Sequence, residues 1–287
     1  SQKNEKKITK YNFLKNRYLE VYAPEKFKEY SKFCKIHLDE LNKTGITILR
    51  SAIDETIINS INEIFQEEIK SLKNISRPRD LRNFKGSKDN IDLPRLKDID
   101  FFRGETFFQD ITDNVQLKDP LVNVPELIPL LLNNTILSLV SAYLETLPKI
   151  TYVKVVKNFC NSMSDLDTQY FHYDENAYKL IKAFIYLNDV TDLESGPFCY
   201  VKGSHMTAQE NWGKSIRYSN KDVLKIANAE DITPIFAKKG DIILANTVAL
   251  HKGIKPIKKH RNILIVNYGL HQDYTFNQKL DIMSKIS

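Results

Sequence analysis

The sequence has few of the residues that mark cross-linked, secreted or membrane-spanning proteins. It contains only three cysteines, an odd number without the spacing of a metal-binding motif, which argues against disulfides and predicts a reducing, cytoplasmic location: Cys34, Cys160 and Cys199. The stretch SQKNEKKITKYNF has no apolar core like that of a secretory signal. A bilayer-spanning helix needs roughly 18 to 20 apolar residues, and no run here is expected to approach that length, so no membrane contact is predicted.

The chain also lacks a large excess of one charge. Its 42 basic and 36 acidic residues give a net charge of +6 over 287 residues, which is small for a nucleic-acid-binding protein and argues against such a partner. The basic residues are densest in residues 77–103, which we call the basic stretch. This stretch is either a solvated loop or a lid that attracts an anionic substrate.

The N-terminal half is predicted to be mainly helical. Apolar residues recur at helical spacing in residues 25–42, 54–72 and 125–146, and a strand-like segment lies at 45–53. We expect Asp54 to cap the second helix, and the third helix to break near Asn133 and Asn134. One apolar face of the second helix is expected to consist of Ile57, Ile58, Ile61 and Ile64.

From residue 150 the pattern changes to short strands separated by Gly, Asn or Asp. The strand-like stretches are ITYVKVVKN, DTQYFHYD, KLIKAFIYLNDV, GPFCYVKG, GDIILANTV and RNILIVNYGL. This order predicts an α+β, mainly β fold with a jelly-roll core (a double-stranded β-helix, cupin-like) at 150–272. The helices and the basic stretch at 25–149 would support that core, after a polar arm at 1–24. We find no repeat or linker and expect one domain over 1–287.

The stretch TQYFHYDENA, residues 168–177, places His172 and Asp174 one residue apart in a predicted strand. Positions i and i+2 of a strand share a face, so the imidazole and the carboxylate would converge on one point. A divalent metal would balance a buried carboxylate there. Such a pair is weak evidence by itself, because most HxD pairs are surface polar residues.

A third ligand should come from another strand. His251 closes the apolar run GDIILANTVALH, where polar side chains are scarce. The other histidines have different interpretations: His37 on a helix surface, His205 in a hydrogen-bonded turn, His260 in a solvated turn and His271 near the C-terminus. Two histidines and one carboxylate form the facial triad typical of non-haem Fe(II) oxygenases.

Arg261 begins the strand-like stretch RNILIVNYGL, ten residues after His251. An unpaired guanidinium is costly to bury, so an inward-facing arginine would need an anion. A dicarboxylate co-substrate would supply one in bidentate geometry. The alternative is an exposed arginine at a strand end.

Together these residues resemble the phytanoyl-CoA dioxygenase family of Fe(II)- and 2-oxoglutarate-dependent oxygenases. The resemblance rests on the HxD pair, 76 intervening residues, His251 and Arg261. The stretches IYLNDVTDLESGPFCYVKGSHM and KTGITILRSAIDETIINSI extend it over about residues 40–270. It implies that His172, Asp174 and His251 bind Fe(II), and that Arg261 holds the 5-carboxylate of 2-oxoglutarate.

The resemblance carries further implications for the pocket. Asn158, in VKNF, lies where ectoine-hydroxylase-like members place an asparagine that contacts the co-substrate, although a strand-end turn former is an equally open interpretation. Lys202 replaces a proline that the family often has before its GSH turn, and Phe184 replaces a common tryptophan. Both changes leave the substrate pocket unassigned. The candidate substrate contacts are Phe184, Arg77, Arg79, Arg82 and Arg95.

The implied activity is hydroxylation of an unactivated C–H bond in a small, polar or anionic metabolite, using O₂ and 2-oxoglutarate and releasing succinate and CO₂. Desaturation or ring formation would use the same residues and stays open, whereas a carboxylate at Asp174 argues against halogenation. Two other classes also stay open: a non-catalytic jelly-roll protein that binds a ligand, and an oxygenase acting on nucleic acid or protein. The sequence does not predict the oligomeric state.

Overall fold

The structure is a computed structural model that describes residues 32–71, 75–76, 113–160, 165, 167–174, 179–208 and 216–270. Several predicted features lie outside the described residues. They are the polar arm at 1–24, His271, and the four candidate arginines Arg77, Arg79, Arg82 and Arg95.

Six helices are present in the described part of the chain. They are α1 (Lys32–Thr44), α2 (Glu55–Ser71), α3 (Pro120–Asn123), α4 (Leu127–Leu131), α5 (Asn134–Leu144) and α6 (Asn220–Val223). Short 3₁₀ helices cover Asp167–Gln169, Leu193–Ser195 and Ala229–Asp231.

Helix α2 begins as predicted and buries most of the predicted apolar face. Asp54 Oδ1 accepts a hydrogen bond from Thr56 N at 2.7 Å, which confirms the cap. Ile57 is 37% exposed, so its predicted place on the apolar face is wrong. Ile58 and Ile61 are buried and Ile64 packs against the core, as predicted. The buried stripe continues along the helix to Phe65 and Ile69, because residues three and four apart share a face.

The apolar segment at 125–146 is two helices, as expected. Asn133 caps α5, since its side chain accepts hydrogen bonds from Thr135 N and Ile136 N. Contrary to expectation, Leu127–Leu144 is long and apolar enough to span a membrane by length and composition. Half of this segment is buried, and its break at residues 132–133 suits a pair of core helices, so it is weak evidence for a membrane span.

Two antiparallel sheets form the centre of the described structure. The strands of the first half are β1 (Ile46–Leu49), β2 (Ile75–Ser76), β3 (Asn114–Leu117), β4 (Lys149–Asn158) and β5 (Ile181–Tyr186). Those of the second are β6 (Phe198–Val201), β7 (Ile232–Ile235), β8 (Ile242–Ala245), β9 (His251–Gly253) and β10 (Arg261–Gly269). The larger sheet has the strand order β1-β8-β5-β10-β4-β3-β2 and the smaller β7-β6-β9. A mainly β fold with a few helices is therefore confirmed.

The larger sheet has a different partner on each face. Alternate residues of a strand point to opposite faces, so Val153 and Val155 of β4 pack with the helices while Lys154 and Val156 face the other way. On that second face the smaller sheet packs over part of the larger one, and Phe184 stacks on Phe198 with ring centroids 4.3 Å apart. Where the two sheets separate, a cavity lined by both charged and apolar side chains opens between them.

Candidate active site

His172, Asp174 and His251 converge at one end of this cavity. One nitrogen from each imidazole and one carboxylate oxygen all lie within 4.8 Å of one another. His172 and His251 form an isolated bridge, in which His172 N donates to His251 O at 2.9 Å and His251 N to His172 O at 3.0 Å. Asp174 N donates to Thr247 O at 3.0 Å, which fixes the backbone of the third residue. Backbone contacts between two chain segments, 172–174 and 247–251, therefore hold the donor atoms together.

The regular strand predicted over DTQYFHYD is wrong. Residues 167–169 form a 3₁₀ helix, and only Phe171 and His172 make single bridges to other segments. The convergence predicted for His172 and Asp174 nevertheless occurs, because backbone contacts to His251 at the start of β9 and to Thr247 before it orient the two residues. The predicted strand-like run ending at His251 divides in the structure into β8 and, after a turn, β9.

Both imidazoles have a nitrogen available for a metal. The Nδ1 atoms of His172 and His251 lie 2.9 Å from the carbonyl oxygens of Tyr170 and Ala249, respectively. A carbonyl only accepts hydrogen bonds, so each Nδ1 carries the hydrogen and each Nε2 keeps its lone pair. Burial, followed by the effect of His172, lowers the pKa of His251 to about 3, and burial also lowers the pKa of His172. Neutral imidazoles of this kind are suited to metal binding.

The carboxylate of Asp174 has a cationic neighbour that was not predicted from the sequence. Lys182 Nζ lies 2.5 Å from Asp174 Oδ2, and their side chains are 13% and 19% exposed. Burial alone would raise the pKa of Asp174, but Lys182 and the two histidines hold it below its usual range. For Lys182, burial opposes the charged form, yet Asp174 raises the pKa above its usual range. Asp174 is therefore ionised, and a lysine orients it.

The donor set fits a first-row divalent metal. Two neutral imidazoles and one ionised carboxylate on one side of a cavity are the ligands of the facial triad, which leaves other coordination positions open. The hydrogen bonds to Nδ1 and the ion pair to the carboxylate are outer-shell contacts of the kind that orient metal ligands.

Arg261 is buried at the other end of the cavity. It is only 8% exposed, so the alternative of an exposed strand-end arginine is wrong. Its Nε and Nη2 donate to Asn158 Oδ1 at 3.0 and 2.8 Å, and its Nη1 donates to the carbonyl oxygens of Gly196 and Ile254. A Cβ atom at position 253 would lie 3.2 Å from Nη2, so Gly253 leaves room for the guanidinium.

All of the hydrogen bonds seen for Arg261 within the described residues go to neutral oxygens. A carbonyl or amide oxygen satisfies a donor without neutralising its charge, and burial lowers the pKa of Arg261. A buried cation held by neutral acceptors is a suitable partner for an incoming carboxylate.

One cavity of about 200 Å³ joins the two ends. Its wall includes His172 and His251 on the metal-donor side, Arg261 and Asn158 at the other end, and Phe184 between the sheets. Asp174 is the one predicted site residue of the described chain that does not line the cavity. Five of the six predicted residues that the structure describes thus line the cavity, and the sixth, Asp174, contacts Lys182 of the wall.

Sequence reasoning missed the two lysines of the cavity wall, Lys154 and Lys182. The alternation of residues in the strand-like stretches could have indicated them, because each lysine shares a strand face with an apolar residue two positions away.

The interpretation of two histidines from the sequence was also wrong. His37 is half-buried, with Nδ1 2.7 Å from Thr47 Oγ1, and His260 is half-buried and accepts a hydrogen bond from Cys160 N at 3.0 Å.

The remaining histidine of the described chain behaves as predicted. His205, in the VKGSH turn, makes a hydrogen bond from Nε2 to the carbonyl oxygen of Asn42 at 3.2 Å. This contact fastens the turn to the end of helix α1, so His205 belongs to the packing of the fold rather than to the metal-donor group.

Comparison with known proteins shows which fold this is. No protein-family model matches the sequence, and no curated protein sequence matches it. Solved structures do match. SnoK, a non-haem α-ketoglutarate-dependent carbocyclase from nogalamycin biosynthesis, is 14% identical with a TM-score of 0.59, over 91% of this chain and 92% of SnoK.

Two further similar structures contain metal and co-substrate. HygX from Streptomyces hygroscopicus, with nickel and 2-oxoglutarate bound, is 17% identical with a TM-score of 0.54, over 86% of this chain and 91% of HygX. The epimerase SnoN, with Fe³⁺, α-ketoglutarate and nogalamycin RO, is 14% identical with a TM-score of 0.55, over 83% of each chain. At these identities the likeness establishes the fold, which is that of non-haem, 2-oxoglutarate-dependent enzymes.

Proposed function

We propose that the protein is an Fe(II)- and 2-oxoglutarate-dependent oxygenase of the phytanoyl-CoA dioxygenase family. One observation carries the proposal: the donor atoms of His172, Asp174 and His251 converge in the same cavity that holds the buried Arg261. The two sheets would form a double-stranded β-helix, within one domain that acts in the cytoplasm. The similar structures support this assignment, since HygX and SnoN contain metal and 2-oxoglutarate.

In this proposal the three donor residues hold Fe(II) through two Nε2 atoms and a carboxylate oxygen. When bound, the iron supplies the redox chemistry that couples O₂ and 2-oxoglutarate to oxidation of a substrate. Lys182 orients Asp174 through the 2.5 Å ion pair. The backbone carbonyls of Tyr170 and Ala249 keep each imidazole in the tautomer that leaves Nε2 free.

Arg261 binds the distal carboxylate of 2-oxoglutarate in this proposal. Its guanidinium is held in place by Asn158, which occupies Nε and one Nη2 hydrogen. Asn158 thus acts through the arginine, whereas the sequence suggested a direct contact with the co-substrate. The stacked rings of Phe184 and Phe198 lie between the two sheets beside His251, and would keep water from that side of the metal site.

The reaction we propose is hydroxylation of an unactivated C–H bond in a small polar or anionic molecule. One oxygen atom of O₂ enters the substrate, the other enters succinate, and the co-substrate loses CO₂. Desaturation and ring formation would use the same residues, and similar structures include an epimerase and a carbocyclase. We further propose that the basic stretch contributes substrate contacts through some of Arg77, Arg79, Arg82 and Arg95.

The test uses purified full-length protein. Anaerobic addition of Fe(II) and 2-oxoglutarate should produce a weak visible metal-to-ligand charge-transfer band, and admission of O₂ should release succinate in an Fe(II)-dependent manner. Asp174→Ala should lose both signals. Asp39→Ala, which removes an exposed carboxylate from helix α1, should keep them. Absence of the band in folded wild-type protein would overturn the assignment, and binding without succinate release would favour a non-catalytic ligand-binding protein.

A further inference from the structure

Two of the three metal donors are oriented by one turn of the chain, residues 246–250, which we call the histidine turn. The carbonyl oxygen of Thr247 accepts a hydrogen bond from Asp174 N at 3.0 Å. The carbonyl oxygen of Ala249 lies 2.9 Å from His251 Nδ1 and sets the tautomer of that imidazole. His251 itself follows directly at the start of β9. Any shift of the histidine turn would therefore move the donor atoms relative to one another.

The histidine turn begins at Asn246, a buried residue whose side chain makes hydrogen bonds in two directions. Its Oδ1 accepts from Val248 N at 3.1 Å, a contact two residues along the chain that closes the turn. A backbone N–H only donates, so the oxygen of the amide faces Val248 and its nitrogen faces the other way. There Nδ2 donates to Tyr143 Oη at 2.8 Å. The side chain of Asn246 thus links the histidine turn to helix α5.

The backbone of Asn246 is held as well. Its nitrogen donates to Gly45 O at 2.8 Å, and its carbonyl oxygen accepts from Tyr200 Oη at 2.9 Å and from Ala249 N at 3.1 Å. A Cβ atom at position 45 would overlap the hydroxyl of Tyr200, so glycine permits the close approach of these segments. Asn246 is therefore the residue at which the histidine turn is joined to β1, β6 and α5.

The contact between Asn246 and Tyr143 lies outside the cavity. Tyr143 is buried in the core between the helices and the larger sheet, and neither residue lines the cavity wall or belongs to the donor group. A buried amide donor that loses its acceptor is costly. Loss of either partner would therefore favour a shift of the histidine turn, and the turn carries that shift to the metal donors.

We propose that Asn246 is a positioning residue for the metal site and that Tyr143 anchors it, so that a core helix outside the cavity controls the alignment of His251 with Asp174. This inference rests on the proposed function for the presence of a metal. Residues that orient metal ligands typically change metal affinity by about tenfold to a hundredfold when they are replaced. Asn246 acts through the backbone of the turn, so we expect an effect at the lower end of this range.

The test measures binding of Ni(II) alone to the full-length protein by calorimetry. Asn246→Leu removes both side-chain hydrogen bonds and should weaken Ni(II) binding by roughly tenfold. Tyr143→Phe removes one oxygen atom and should weaken it by a smaller factor. The double variant should bind Ni(II) no more weakly than Asn246→Leu, because the shared contact is already lost. The visible spectrum of Co(II)-loaded protein, which reports the arrangement of the ligands, should change in the same variants.

Tyr268→Phe is the matched control. Tyr268 is also a buried tyrosine of the core beside the helices, and its hydroxyl donates to Leu131 O at 3.0 Å, away from the histidine turn. This variant also loses one buried hydroxyl, but it should keep the Ni(II) affinity and the Co(II) spectrum of the wild type. The comparison separates an effect on the metal site from a general loss of stability.

The outcomes distinguish this inference from the proposed function. If wild-type protein does not bind Ni(II), both fail. If wild type binds Ni(II) but Tyr143→Phe matches Tyr268→Phe in Ni(II) affinity and Co(II) spectrum, the positioning role is overturned and the proposed function stands. Additive effects in the double variant would also overturn it, since the two residues would then act independently. Should Asn246→Leu not fold, the comparison of Tyr143→Phe with Tyr268→Phe decides.

Discussion

The ammonium of Lys182 lies 2.5 Å from the carboxylate of Asp174, the acidic member of the candidate metal-binding triad. The lysine belongs to β5 and the aspartate to the segment that precedes it, so the ion pair joins the larger sheet to the metal-donor group. Without a metal, this pair balances the charge of a half-buried carboxylate. With a metal, the carboxylate has two cationic partners.

We expect Lys182→Met to destabilise the metal-free protein more than the metal-loaded protein. Removing one partner of a buried pair leaves the other charge uncompensated and costs about 3 to 5 kcal/mol. A divalent metal on Asp174 would compensate the charge and reduce the loss. Urea denaturation of wild type and variant, with and without Ni(II), measures both values. Lys225→Met is the control, because its ion pair with Asp222 is largely exposed to solvent and should contribute little to stability. An equal loss with and without Ni(II) would contradict this account.

We expect Asn158→Asp to weaken 2-oxoglutarate binding while leaving metal binding intact. The new carboxylate would accept the same hydrogen bonds from Arg261 Nε and Nη2 and would neutralise the guanidinium. The affinity for 2-oxoglutarate should fall by roughly tenfold or more, since one charge-assisted contact is lost. Titration of Ni(II)-loaded protein gives the dissociation constant. The control Asn59→Asp adds the same charge on the exposed face of α2 and should not change the affinity for 2-oxoglutarate. Unchanged affinity in Asn158→Asp would argue against Arg261 as the residue that binds the co-substrate.

Acidification should destabilise the metal-free protein through His251. Burial and then His172 lower the pKa of His251 from 6.5 to about 3. The unfolded chain therefore binds the proton more readily, so the stabilisation is complete above pH 6.5 and declines as the pH falls toward 3. One such group contributes a slope of up to about 1.4 kcal/mol per pH unit. Urea denaturation between pH 7 and 5 should show a flatter pH dependence in His251→Gln than in wild type or in the control His37→Gln. Parallel curves for all three proteins would refute the prediction.

Alanine substitution in the basic stretch should affect substrate binding and little else. If an arginine among Arg77, Arg79, Arg82 and Arg95 contacts an anionic group, its loss should raise KM by roughly tenfold to a hundredfold. Substrate-independent succinate formation should persist, because Arg261 and the metal donors are unchanged. The assay requires a substrate found by a succinate-release screen, with Lys118→Ala as the charge control. Wild-type kinetics in all four variants would identify the stretch as a solvated connection.

The residues that would perform the chemistry could be predicted from the sequence. His172, Asp174, His251 and Arg261 are chemically distinctive, and each occurs in or beside a strand-like stretch. The change from helical to strand-like periodicity near residue 150 likewise predicted a mainly β fold supported by helices. These properties are local, because side-chain type and periodicity depend only on the residues of a short segment.

The partners of those residues were decided by tertiary structure. Asn158 meets Arg261 because β4 and β10 pair in a register that joins residues 103 positions apart, and sequence periodicity does not specify register between distant strands. The contact between Lys182 and Asp174 depends on the backbone contacts that position His172 and Asp174, which replace the strand predicted there. The chemistry of each side chain is thus determined by the sequence alone. The charge balance of the cavity depends on how the two sheets pack, because burial and proximity arise only when the chain is folded.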